Sequence, residues 1–234
     1  MAVLIVLIVL ALAALCIVSV INRKHEQQQA RRMQQRKLKL QADAIVDLVN
    51  CLEQTIPNRM IAKYINDESI GLLEQILRLE TGSTTHIENS IRHAQMRSDE
   101  LASAKNYASA SYQKDSDAQI THTQEQLSEA ALRLRHVRAQ GKFSDTELEV
   151  FTSELSWGFL MVSVASFIAQ GLKLSSLQDR FSAKNYYQKA QNLLMESMHP
   201  DPRRMRMIKE LSEIIEGSRT TMSRDLLPER ATAE

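Results

Sequence analysis

The first twenty-one residues, MAVLIVLIVLALAALCIVSVI, carry no charged side chain. As a helix rising about 1.5 Å per residue, such a run matches the thickness of a bilayer's hydrocarbon core. A cleaved signal peptide would have a charged residue ahead of a shorter apolar core. Here no Lys or Arg precedes the core, which continues to Ile21. Leu15, not a small residue, precedes Cys16, which argues against a lipoprotein cysteine. A soluble core helix rarely holds so long an uninterrupted apolar run. The expectation is an uncleaved, single-pass anchor over residues 1–21, with everything after it held beside a membrane.

The flanks set the orientation. Arg23, Lys24, Arg31, Arg32, Arg36, Lys37 and Lys39 follow the apolar run, opposed before Asp43 only by Glu26. Basic flanks stay cytoplasmic. The N-terminus is therefore expected outside, and the body on the cytoplasmic side of an inner or plasma membrane. The same residues form a collar that anionic headgroups attract, by about 1 kcal/mol for each basic side chain near the surface. Membrane lipids are thus the first expected partner. Residues 22–41 read as a basic juxtamembrane stalk, either continuing the anchor helix or flexible.

The remainder reads as all-α. Gly and Pro are scarce, at 6 and 4 residues. Helix formers abound, and no sustained alternation marks a strand. Two cysteines, Cys16 and Cys51, make no disulfide framework. A net charge of +1 provides no global field for recruiting nucleic acid, which is disfavoured as a partner. The predicted architecture is a transmembrane helix followed by a helical bundle or helical-hairpin domain over 42–217, then a flexible tail over 218–234.

Within the body, Leu38, Ala42, Ile45, Val49, Leu52 and Ile56 recur at steps of four and three, and Pro57 ends the run. This seam either packs on its own domain or forms a coiled coil with a second copy. Ile61, Ile65, Ile70, Leu73, Ile76 and Leu77 suggest two short helices separated at a cap, Asp67. A thinly apolar helix to about Tyr112 has Ile87, Ile91, Ala94, Leu101, Ala104 and Ala108, too little for strong packing, and is expected to be an arm. Ile120, Leu127, Ala131, Leu134 and Val137 lie on one face of a helix ending at Gly141. Ser144 and Glu147 form a capping box for the next.

That next helix contains a second uncharged stretch, Leu155 to Leu172. Its serines, Gln170, two glycines and preceding acids favour a central core helix over a second membrane span, with Trp157, Phe159 and Phe167 as aromatic anchors. A hairpin follows: one helix marked by Phe181 to Met198, a break at His199–Pro202, and another through Met205, Ile208, Leu211 and Ile215 to Gly217.

Leu177, Phe181, Ala190, Leu194 and Pro202 fall at the apolar, small and closing positions of a thirty-four-residue helix-turn-helix unit. The stretch 174–202 resembles one tetratricopeptide repeat. It departs from the pattern at Leu174, Gln178 and Ser197, where tryptophan, glycine and alanine are usual. The resemblance implies a peptide-binding or self-packing hairpin and transfers no site residues.

No catalytic, cofactor or metal motif is present. G-x-S-x-G, P-loop, G-x-G-x-x-G, C-x-x-C and H-E-x-x-H are all missing. His86 and His93 share a helix face, but without a further ligand at i+3 or i+4. Glu147 and Glu149 point to different faces. The basic clusters Arg133/Arg135/Arg138 and Arg203/Arg204/Arg206/Lys209 are not interleaved with aromatics and read as solvated faces.

The functional expectation is a membrane-anchored, non-enzymatic scaffold or adaptor engaging an unidentified protein. Leu38, Ile45, Val49, Leu52, Leu194 and Ile208 are the expected partner-binding residues. The alternatives are a self-associating structural protein that homodimerises through the stalk, and a membrane-tethered nucleic-acid binder.

Overall fold

The computed structural model describes residues 2–80, 82–103 and 110–227. The side chains of residues 1–21, and residues 104–109 with Ala104 and Ala108, lie outside that description, as do residues 228–234. The described part contains seven helices and no strand: α1 (Ala2–Thr55), α2 (Arg59–Leu79), α3 (Thr85–Ser103), α4 (Asp117–Ala139), α5 (Asp145–Ser176), α6 (Arg180–Glu196) and α7 (Arg203–Glu216).

α1 runs without interruption from the apolar run through the basic stretch and into the body. Residues 22–34 are exposed, and Leu38 is the first buried apolar side chain after them. From there the seam turns inward, with Ala42, Ile45, Leu48, Val49, Leu52 and Ile56 all buried. Their 3–4 spacing serves the chain's own core. Pro57 stops α1, and Asn58 starts α2 by accepting the Met60 amide at 3.1 Å.

α2 is one helix, not two. Asp67 caps nothing; it lies mid-helix, bonded to Lys63 at 2.8 Å one turn back and to the Ser98 hydroxyl of α3. A polar residue at a half-exposed helical position resembles a cap in sequence, and the contacts made across to α3 remove the need for a break. α3 itself is strapped by polar contacts where its apolar face is thin. Asn66 donates to the Ala94 carbonyl at 2.8 Å, and Arg97 reaches both Asn50 and Glu53 on α1. These bonds hold the expected arm against α2 and α1.

α5 is the central helix, begun by the Ser144–Glu147 capping box. One side of it joins α1, α2 and α4 around Ile45, Leu52, Ile61, Leu127, Leu134 and Val162. The other joins α6 and α7 around Trp157, Met161, Ile168, Leu194, Met207 and Leu211. Among the residues whose side chains are described, α5 alone is long and apolar enough to cross a membrane. Its apolar side chains form the shared wall of two cores, which is why its sequence is apolar nearly all round. Phe159 is the exception among its aromatics: 42% exposed, it anchors nothing.

Two glycines on α5 mark where neighbours come closest. A methyl on Gly171 would lie 2.5 Å from the Tyr187 ring, and one on Gly158 would lie 2.5 Å from Ile56 Cδ1. An extended connection, residues 110–116, crosses between the cores. The Ser111 amide donates to the Gln54 carbonyl at 2.9 Å, and the Lys114 amide to Ser166 Oγ at 2.8 Å.

The C-terminal region departs from expectation twice. The chain breaks at Leu177–Asp179, with Gln178 at φ 64, inside what the repeat resemblance makes a helix. Leu177 and Phe181, assigned to buried repeat positions, are 69% and 79% exposed. The helix-turn-helix register of 174–202 is therefore not formed. The hairpin that exists is α6–α7, turned by His199–Pro202 and closed at Gly217, φ 83. Beyond it, residues 218–227 are not a free tail. Met222 and Leu226 are buried in the second core, and Ser223 donates twice to Glu210, at 2.8 and 2.7 Å. This short segment lacks periodicity because it forms no helix; its two apolar residues still pack into the second core beside α7.

Candidate functional site

The residues expected to bind a partner lie inside the chain's own packing. Leu38, Ile45, Val49, Leu52 and Leu194 are buried, and Ile208 is half-buried against the second core. The five buried side chains are used in the chain's own packing, and Ile208 keeps part of its surface exposed. The collar residues Arg23, Lys24, Arg31, Arg32, Arg36, Lys37 and Lys39 are all exposed on α1.

Five of the six arginines in the basic clusters are engaged locally. Arg133 pairs with Glu68 and Glu129, Arg138 with Asp145, and Arg206 with Asp225. Arg204 closes the C-terminal end of α6 by donating to the Leu194 and Ser197 carbonyls at 3.0 and 2.6 Å. Among the described residues no three His, Cys, Asp or Glu side chains gather in a metal-binding arrangement.

Functional groups converge instead in a cleft of about 300 Å³. The α1–α2 turn contributes Ile56, Pro57 and Asn58, and the extended connection contributes Tyr112. α5 contributes Ser153, Glu154 and Trp157, and the α6–α7 turn contributes His199, Asp201 and Arg203. Each wall stands where it does for a local reason. Pro57 forces the first turn. His199-Pro-Asp-Pro forces the last, where Asp201 accepts the Arg203 amide at 2.9 Å.

Trp157, 4% exposed, forms the floor. The Arg203 guanidinium lies 5.0 Å from its ring centroid, and the His199 ring 5.2 Å away. Arg203 also forks onto Asp201, with contacts of 2.6, 3.0 and 3.2 Å. That fork holds Asp201 below the usual carboxylate range. His199 is bonded at both ring nitrogens: Nε2 lies 3.1 Å from the Ser153 carbonyl, and Nδ1 lies 3.2 Å from the Asp201 amide. This fixes its tautomer, with Nε2–H donating and Nδ1 accepting.

Two groups in the cleft remain unsatisfied. Trp157 Nε1 is buried with no acceptor, and Glu154 Oε2 is buried with no donor. Burial pushes the Glu154 carboxyl up, against a smaller opposing pull from the Asn58 side chain. Burial also pushes the Tyr112 phenol up, with Arg203 opposing and Glu154 and Asp201 adding to the shift. Glu154 takes part in no ion pair among the described residues.

Comparison with known proteins adds one similarity. The family model for the T cell CD4 receptor C terminal region matches residues 3–42. The match spans the apolar run and the basic stalk and ends as the chain enters its buried seam. No curated protein matches the chain, and no solved structure does.

Arg203 stands in a visible basic cluster and His199 in a visible turn, so both are legible as singular residues in the sequence. Tyr112 and Glu154 carry no local signal. Tyr112 follows a thinly apolar stretch, and Glu154 reads as one more acid on the first turns of α5. Their meeting depends on the crossing of residues 110–116.

Proposed function

We propose that the chain is a single-pass, membrane-anchored adaptor, non-enzymatic, whose helical body binds a partner on the cytoplasmic side of an inner or plasma membrane. The observation that carries this reading is α1. One continuous helix joins an uncharged apolar run to an exposed basic stretch and then to the first buried core. From Asn22 to Leu38 that helix spans about 25 Å, so it acts as a spacer between headgroups and body.

Tethering raises the effective concentration of whatever the body binds against other molecules on the same membrane. The commitment of the His199 imidazole and the Arg203 guanidinium to neighbours supports binding over catalysis in the cleft. The burial of the seam within the chain's own core favours this reading over dimerisation through the seam. The pairing of Arg133, Arg138, Arg203 and Arg206 with carboxylates favours it over phosphate binding by the same clusters.

Two measurements on intact cells test the anchor. Full-length protein should stay in the membrane fraction through alkaline carbonate extraction. A tag at Glu234 should resist external protease until the membrane is permeabilised. Release by carbonate, or cleavage of the tag from outside, overturns the reading.

A further inference from the structure

His199 ties the α6–α7 turn to α5, and its two ring contacts together require the neutral imidazole. The Ser153 carbonyl, 3.1 Å from Nε2, can only accept, so Nε2 carries the proton. The Asp201 amide, 3.2 Å from Nδ1, can only donate, so Nδ1 is bare. A proton added to Nδ1 would aim one donor at another, and the contact with the Asp201 amide could not survive it.

The charges around the ring do not offer that proton another acceptor. On the turn, the Asp201 carboxylate favours a charged ring, but it is already forked onto Arg203 at 2.6, 3.0 and 3.2 Å. Arg203 opposes a second cation: its guanidinium and the His199 ring lie 5.0 and 5.2 Å from the same Trp157 ring. Arg204 is bonded to the Leu194 and Ser197 carbonyls. On α5, Glu154 lines the cleft, and burial pushes its carboxyl toward the neutral form. From the extended connection comes the Tyr112 phenol, which burial also keeps neutral, and from the α1–α2 turn the uncharged Asn58.

The ring can relieve the clash by rotating, or the Asp201 backbone can move away. Rotation gives up the Ser153 bond that fastens the turn to α5. Movement of Asp201 takes Arg203 with it, because the Asp201 carboxylate accepts from the Arg203 amide at 2.9 Å and from its guanidinium. Both routes loosen the cover over Trp157, which is 4% exposed.

We propose that His199 is an acid-sensitive latch: protonation at Nδ1 frees the α6–α7 turn from α5 and uncovers Trp157 at the floor of the cleft. Histidine side chains change charge between about pH 5 and 8, so the cleft is closed at the upper end of that interval and open at the lower. The latch does not depend on the chain being an anchored adaptor.

The chain has a single tryptophan, so its emission reports on this cleft. Emission maximum and acrylamide quenching are read rather than intensity, which a nearby charge alone can alter. From about pH 8 to about pH 5, the emission of full-length protein in non-ionic detergent should shift to the red, and acrylamide quenching should rise at least about twofold. The change should be reversible, with far-UV circular dichroism unchanged. His199→Asn sets an amide oxygen near the place of Nδ1, and His199→Gln sets an amide nitrogen near that of Nε2. Neither can titrate, and both should abolish the pH response. Glu154→Gln removes the titration of the neighbouring carboxyl and should keep the response. An unchanging parent, a response retained by folded His199→Asn or folded His199→Gln, or a response lost in folded Glu154→Gln would each overturn the proposal.

Discussion

Replacing Gly171 with alanine tests the closest helix approach in the body. The added methyl would lie 2.5, 2.8 and 2.9 Å from three atoms of the Tyr187 ring, against an ordinary contact of 3.4 Å or more. The ring is rigid and 4% exposed, so it cannot turn aside as a flexible chain end would. Overpacking of this kind costs about 1–3 kcal/mol, and alanine's better helix propensity returns about 1 kcal/mol. Because three ring atoms clash, the upper part of that range applies, and the net loss should be about 1–2 kcal/mol. Urea unfolding of the full chain in detergent, followed by circular dichroism and Trp157 emission, measures it. Gly158→Ala is the internal control. Its methyl meets the rotatable Cδ1 of Ile56 at 2.5 Å, and its other neighbours lie at 3.6 and 3.7 Å. That variant should stay within about 1 kcal/mol of the parent. Combining Gly171→Ala with Tyr187→Leu should recover part of the loss as a coupling energy. A Gly171→Ala protein as stable as the parent would refute the α5–α6 spacing on which the second core depends.

Three further outcomes are expected. Burial raises the Glu154 carboxyl, so its ionised form costs stability above the unfolded-state value, and that cost disappears as pH falls through the folded value. Glu154→Gln should therefore be more stable than the parent at pH 7 in chemical denaturation, with the difference gone below about pH 4. Gln178 holds a left-handed conformation at φ 64 that glycine adopts without strain, so Gln178→Gly should raise the unfolding free energy by about 0.5–1 kcal/mol. Met222→Ser with Leu226→Ser should unlatch residues 218–227 from Glu210 and the second core, lowering stability by at least about 2 kcal/mol and opening the Arg219 and Arg224 peptide bonds to trypsin.

Much of the local architecture is legible in the residues because its causes are local. The Ser144–Glu147 box, the stop at Pro57, the turn at His199–Pro202 and the left-handed close at Gly217 each depend on a few neighbouring side chains. The seam from Leu38 to Ile56 is legible as a buried stripe, because burial leaves a helical period in sequence. The surface that stripe faces is not legible. An apolar face is satisfied equally by a neighbouring helix or by a second copy, and only the packing of α1 on α2 and α4 decides between them. The same ambiguity misleads at Leu177 and Phe181, whose spacing fits a repeat although the chain breaks between them. The cleft is further from reach. Asn58, Tyr112, Glu154, Trp157, His199 and Arg203 come from four separate segments, and no pattern links them along the chain.

Sequence alone determined the uncharged leading run, its basic flank, the helical character of the body and most helix ends. Each of these is set by a side chain's own polarity or by hydrogen bonds within one turn. Tertiary structure alone decided that the seam is internal, that α3 is held by polar straps, that residues 218–227 close the second core and that Tyr112, Glu154, Trp157, His199 and Arg203 line one cleft. Those outcomes depend on which surfaces of distant segments fit together. Complementarity of shape and charge across the fold settles that, and no single stretch of the chain contains it.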